Sequence, residues 1–558
     1  MTTRRRLIAL ALAGIAALAA PAAAKDELVI GMTQYPSSFN PNIGSMAAKT
    51  LVANMTSRPI TAYDPDWKLV CMLCVELPSI ENGGAVVEEY APGKKGIAVT
   101  YTLRPDAKWG DGTPVTTRDV ALTIEVGKHP QSGVASTEAY RRILKLDIKD
   151  DRTFTLHVDR VTFEYASVGG FQLLPAHIER PIFEANPAEY RNRSAYETDT
   201  ANRALWFGPY RIAKTVPGAS IELERNPTWA GKAPAFKRIV FRIIENTAAL
   251  EANLLSGSID YVAGELGLSL DQALAFEKRH KDRFDVVYKP GLVYEHIDVN
   301  LENKLLADRR VRQALLLGID RAAISTRLFE GKQPVADGSV NPLDPMYSPG
   351  ARQYAYDPAA ARKLLDDAGF KDIRAGVRHN AQGEKLSIEL ATTAGNRVRE
   401  QVQQVLQSQW KQIGVEVRLK VEPPRVFFGE TVRKRNYSGL AMYAWISAPQ
   451  SVPRTTLHSQ EIPSEANGWS GQNSGGYKNP EMDRILDAAE IELDATKRKA
   501  LFADMQGLYS EDLPVLPLYF RTDAFIFPKP LKGVRPTGHL NASTLWVEDW
   551  RWETGNAQ

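Results

Sequence analysis

The segment from Val99 to Val120 constrains the fold more than any other stretch, because a strand, a tight turn and a capped helix follow one another without slack. Val99, Tyr101 and Leu103 alternate with Thr100, Thr102 and Arg104, the period-2 pattern of a strand with one buried face. Gly110-Asp111-Gly112 then supplies a turn in which glycine permits positive φ. Thr116 and Asp119 stand at capping-box spacing, so each satisfies a free N–H of a helix running through Val120 and Ile124. The segment holds no catalytic group. It is a rigid scaffold element.

Strand and helix signals interleave along the rest of the chain. Leu28 to Met32 is a short apolar strand followed by the polar turn Tyr35 to Pro41, Phe154, Leu156 and Val158 alternate, and Ile239 to Ile244 resembles a buried strand. Thr247 starts a helix that ends near Gly257, and Asp308 caps one carrying Val311, Ala314, Leu315 and Ile319. Asp357-Pro358 and Asn479-Pro480 repeat a helix-start signal, cap residue then proline at the first helical position. Such interleaving predicts an α/β protein.

Arg4, Arg5 and Arg6 precede an apolar run from Leu7 to Ala20 and then Pro21-Ala22-Ala23-Ala24. That is the layout of a secretory signal peptide over 1–24, with Lys25 as the expected mature start. The run is shorter than the roughly 20 apolar residues of a membrane span. Export by the general secretory route and by the twin-arginine route both stay open, the latter because of the consecutive arginines. No cysteine lies near the cleavage site, so the mature chain is expected in the periplasm without a lipid anchor or membrane insertion.

The whole chain has 69 basic and 66 acidic residues. The three signal arginines account for the difference, so the mature chain is balanced, a poor match for nucleic acid. Its two cysteines, Cys71 and Cys74, form a CxxC. An oxidising compartment favours a structural disulfide between them, with two free thiols and a redox pair as the open alternatives; zinc is disfavoured because no second CxxC exists. No G-x-S-x-G, H-E-x-x-H or phosphate-loop motif and no S-x-x-K set with its S-D-N and K-T-G companions occurs, and no two of the eight histidines are spaced i, i+4. A binding protein without cofactor or metal is expected, not an enzyme.

Leu103 to Val120 resembles a signature of the family 5 solute-binding proteins, the peptide-, dipeptide- and nickel-binding receptors of bacterial ABC importers. Five further stretches are similar to that family's landmarks and come in its order: Phe207 to Ile212, Glu224 to Trp229, Leu255 to Asp260, Asp308 to Arg321 and Tyr356 to Gly369. The resemblance implies a two-lobed periplasmic binding protein with a hinge (type II, cluster C-like) and an extra subdomain inserted in lobe I. The implied division is lobe I at 25–58 and 206–294, its inserted subdomain at 59–205, lobe II at 295–515, and a return to lobe I at 516–558. The hinge would then lie where the chain crosses between lobes, near Tyr294 to Asn300 and Leu513 to Tyr519. A monomer is expected, taking a peptide or other small solute and serving permease subunits of the inner membrane. Service to a sensor or chemoreceptor, and a non-peptide cargo such as an opine, sugar or metal chelate, remain the alternatives.

Peptide-binding members of the family place an aspartate three residues after a strand-end tryptophan, to pair with the ligand's ammonium. Here Trp445 is followed at that distance by Ala448, which weighs against recognition of a free amino terminus. Trp445, Ser447 and Arg454 are the expected cleft residues of this region, Arg454 as a partner for an anionic group. Trp469, Gln472 and Asn473 belong to a glycine-rich loop that either lines the cleft or is merely flexible. Tyr294, His296 and Asp298 lie on the first crossing, where Asp298 either replaces the missing anchor or binds backbone N–H groups. Tyr35, Ser37 and Ser38 follow the first strand, at the end where open α/β sheets present ligands.

Overall fold

The computed structural model describes residues 25–553 apart from 44–45, 135–137, 169–170, 395, 424–425, 468–470 and 540. The expected signal segment, 1–24, lies outside the described residues. Ten strands build one mixed sheet: β1 (Glu27–Met32), β2 (Tyr210–Val216), β3 (Ser220–Arg225), β4 (Arg238–Ile243), β5 (Tyr261–Val262), β6 (Phe284–Val299), β7 (Ser387–Thr393), β8 (Glu416–Glu422), β9 (Leu440–Ile446) and β10 (Val515–Pro528). Their order across the sheet is β8-β7-β9-β6-β10-β5-β1-β4-β3-β2.

The two longest strands sit at the centre and explain the shape. The first half of β6, Phe284 to Pro290, pairs antiparallel with Pro528 to Thr522 of β10; its second half, Tyr294 to Asp298, pairs with Phe520 to Val515. The register shifts between Pro290 and Tyr294, and an irregularity of that kind bends and twists a strand pair. On one side of the shift β10 continues into β5 through Val262 and Ile526, and β5 into β1. On the other side β6 continues into β9, from Val293 against Ile446 to Val299 against Leu440. Two lobes therefore hang from one two-stranded ladder.

Each lobe has its own core. Leu28, Ile30, Phe241, Tyr261, Phe527 and Trp550 are buried in lobe I, and Ile297, Val299, Leu315, Leu390, Trp410 and Leu516 in lobe II. A separate four-stranded antiparallel sheet (Ala85–Ala91, Lys94–Thr102, Thr153–Val158 and Ile143–Ile148) carries a third core around Val99, Tyr101, Leu103 and Trp109.

The scaffold segment behaves largely as its pattern dictates. Thr116 caps the helix Thr117–Lys128: its hydroxyl accepts the Arg118 N–H, and Asp119 accepts the Thr116 N–H at 2.8 Å. Asp119 also takes the Ala176 N–H at 2.7 Å and the Trp109 indole N–H at 3.2 Å, so one buried carboxylate ties strand-turn, helix and the next helix together. Burial nevertheless leaves its pKa above the usual carboxylate value. The turn differs in one detail. Gly112 has φ +93°, but Gly110 is required for a close approach: a Cβ there would sit 2.5 Å from the Arg203 carbonyl oxygen. Cys71, the last residue of the strand Leu69–Cys71, and Cys74 are joined as a disulfide.

Candidate ligand-binding cleft

The second half of β6 alternates, so its side chains divide between two faces of the sheet. Leu292, Tyr294, His296 and Asp298 line a cavity of about 230 Å³ in lobe II, and their cross-strand neighbours Tyr443 and Trp445 of β9 extend the same wall. Glu295, between them, faces the other way and is fully buried. Arg399 and Arg521 bond its two oxygens at 2.6 and 2.8 Å. Burial opposes its charge, but Arg521 and Arg399 outweigh it and hold the carboxyl below its ordinary pKa. That buried ion cluster fixes the orientation of β6 beneath the cavity.

Inside the cavity the Tyr443 hydroxyl donates to Asp298 Oδ2. The Tyr294 and Tyr509 hydroxyls meet at 2.9 Å. The His296 ring stacks on Tyr294 at 5.0 Å and meets Tyr443 edge-on at 4.5 Å. Tyr443 is held far above its ordinary pKa by burial and by the Asp298 charge, so its hydroxyl stays protonated and serves as the hydrogen-bond donor to Asp298. Trp445 is half-buried at the end of β9, and Ser447 extends the ladder by donating its N–H to Leu292 O.

A groove of about 260 Å³ lies beside this cavity, between the lobes. Lobe I contributes the helix Ala47–Thr56, with Leu51 facing the groove, Ala263, Leu266, Phe525 and His539; Val293 and Ile446 face it from β6 and β9. Ile446 lines both spaces. On the far side the subdomain reaches lobe II directly. Arg160 pairs with Glu490 at 2.6 Å, the Phe163 N–H donates to the Glu490 carbonyl, and the Arg498 guanidinium lies 4.3 Å over the Phe163 ring.

The residues singled out in the sequence thus fall into separate places. Tyr294, His296, Asp298, Trp445, Ser447 and Gln472 meet around the lobe II cavity. Arg454 does not line it: its guanidinium bonds Glu461 at 2.8 Å and Gln460 at 3.1 Å. Asn473 is buried and spends its amide on the His458 and Tyr477 backbone. Tyr35, Ser37 and Ser38 are outside both spaces; Tyr35 packs edge-on to Phe39, Ser37 is exposed, and Ser38 bonds Glu197. Trp469 lies outside the described residues. Asn341, Asp344, Phe502 and Tyr509 line the cavity as well, and the sequence reading misses them. Asn341-Pro342 and Asp344-Pro345 are turn-forming pairs and are the available signal. Their side chains indeed close short turns onto Leu343 N and Met346 N.

A family model, bacterial extracellular solute-binding proteins, family 5 (middle region), matches residues 84–463. The chain belongs to that family. Among family 5 relatives, it is 24% identical over 534 residues to the oligopeptide-binding protein AppA of Bacillus subtilis, covering 94% of this chain and 91% of that one. It is 25% identical over 518 residues to a Brucella ovis protein named as a candidate ABC transporter peptide-binding protein, covering 91% and 90%. The oligopeptide-binding protein of Thermus thermophilus, solved with a pentapeptide, superposes with a TM-score of 0.76 at 31% identity, covering 96% and 97%. The two-lobed architecture is therefore that of family 5 receptors, a solute-binding and not an enzyme family. No helix among the described residues is long and apolar enough to cross a membrane.

Proposed function

We propose that this family 5 protein captures a peptide or peptide-like solute between its lobes in the periplasm and hands it to the permease subunits of an ABC importer. The observation that carries the reading is the groove that lobe I lines and Ile446 of lobe II closes at the end of the β6–β9 ladder, opening beside the lobe II cavity. Peptide-bound relatives of the same fold support it. In this reading lobe I comprises 25–294 and 516–558, lobe II comprises 295–515, and the hinge is the stretch of β6 and β10 around their register shift. The cavity residues Tyr294, His296, Asp298, Trp445, Ser447 and Gln472 are the ligand contacts. A ligand touching both lobes favours closure only by the difference in its affinity for the closed and open states, and a two-strand hinge lets each lobe stay rigid meanwhile.

The test has two steps. Native mass spectrometry of protein taken from its own host identifies any retained solute, and small-angle scattering then compares the stripped protein with and without a pentapeptide pool. A smaller radius of gyration on binding is expected. An unchanged radius at saturation removes the capture-and-closure reading.

A further inference from the structure

We infer that the lobe II cavity accepts one cationic group of the ligand, an ammonium or guanidinium on an aliphatic stem, with Asp298 as its charge partner. This rests on the capture reading above and adds the chemistry of one subsite. Asp298 is 5% exposed, and a carboxylate that far from water needs a partner for its charge. Of the roughly four acceptor sites a carboxylate offers, Tyr443 fills one well. His296 Nε2 stands 3.4 Å from the other oxygen, Oδ1. Its Nδ1 lies 3.1 Å from the Tyr294 carbonyl, an acceptor only, so Nδ1 carries a proton. Nε2 then attracts Asp298 only in the doubly protonated ring. A neutral ring turns a lone pair toward the carboxylate.

The rest of the lining points the same way. Asp344 is the second acid of the wall, its oxygens taken by the Met346 and Gln450 N–H groups. No lysine or arginine lines the cavity among the described residues. Tyr294, Tyr443, Trp445, Phe502 and Tyr509 provide aromatic faces, which attract a desolvated cation and cover an aliphatic stem. An anionic group would meet two carboxylates. A purely apolar group would leave Asp298 with Tyr443 and His296 alone. The volume, about 230 Å³, falls below the ~300 Å³ at which whole small-molecule sites begin, so the cavity fits one side chain or chain end.

Calorimetry on pentapeptides of alanine carrying lysine, norleucine or glutamate at each position in turn tests this. One position is expected where lysine binds at least ten-fold tighter than norleucine and glutamate is weakest. Asp298→Asn should erase that preference, bringing the lysine peptide down at least ten-fold to the affinity of the norleucine peptide. Because a buried substitution risks the fold, Val515→Lys, at a half-buried cavity position that pairs across the sheet with Asp298, provides a second route: its own ammonium should compete for Asp298 and erase the preference too. No lysine preference in the unmodified protein, or one that survives both variants, overturns the inference. If no peptide binds at all, n-butylammonium against n-butanol, followed by saturation-transfer NMR, separates the two readings. Selective binding of the ammonium, lost in Val515→Lys, keeps the cation subsite and removes the peptide reading; its absence removes both.

Discussion

Trp445 stands half-buried where β9 ends, its ring edge-on to Tyr443 at 6.4 Å and lining the cavity. Truncating an aromatic anchor of this kind typically costs on the order of 2 kcal/mol of binding, roughly a thirty-fold rise in Kd. Trp445→Ala should show that loss by calorimetry with whichever solute is retained from the host, while thermal unfolding shifts little because the side chain is only partly in the core. A tryptophan at a strand end is visible in the sequence, as are the alternating Tyr294, His296 and Asp298. The arginines are not readable in the same way. Arg454 reads as a cleft residue and is spent on Glu461 and Gln460. Arg312 and Arg321 are buried collectors of carbonyl oxygens: Arg312 bonds those of Leu306, Ala307 and Asp512, and Arg321 that of Tyr354. Several of these partners come from remote loops, which no local spacing announces.

At the scale of elements, caps and turns are the most legible parts, because their chemistry is complete within a few residues. Asp308, Asp357 and Asn479 each accept the N–H two residues on and start the helices Arg309–Leu317, Pro358–Asp367 and Pro480–Ile491. Asp119 does more than cap. Asp119→Ala removes the acceptor for two backbone N–H groups and the Trp109 indole, leaving buried donors unpaired at ~1–3 kcal/mol in addition to a cap of ~1 kcal/mol. Urea denaturation should place the loss near ~3 kcal/mol, with the inserted subdomain unfolding first. The disulfide closes a very short loop, for which chain entropy predicts a contribution of only about 2 kcal/mol. Thiol titration of the denatured, unreduced protein should find no free cysteine, and Cys71→Ser with Cys74→Ser should lower stability modestly without loss of fold. Strand pairing is far less legible: β6 meets β10 across more than two hundred residues, and periodicity marks a strand without naming its neighbour.

For the whole molecule, the contact between the subdomain and lobe II is the part most sensitive to conditions. Glu164 sits in that contact, between Tyr63, Glu490 and Arg498. Burial, then the Glu490 charge, push its carboxyl up to about 7, against the pull of Arg498. In an open form the group would regain water and an ordinary value near 4.5. Closure then binds protons, so it is favoured below about pH 4.5 and progressively lost as pH rises through about 7. Scattering at fixed ligand should show the compact form weakening over that interval, and Glu164→Gln should flatten the dependence. A different consequence follows from the paired strands at the centre. The lobe I core takes Phe525, Phe527 and Trp550, and the lobe II core takes Leu516 and Leu518, from the same late stretch of chain. Neither core is complete until β10 has emerged, so a nascent chain halted before Val515 holds two unfinished halves. Folding of the two lobes is therefore deferred to the end of synthesis, whereas the third core, complete by Phe207, forms on a chain whose lobes are still open.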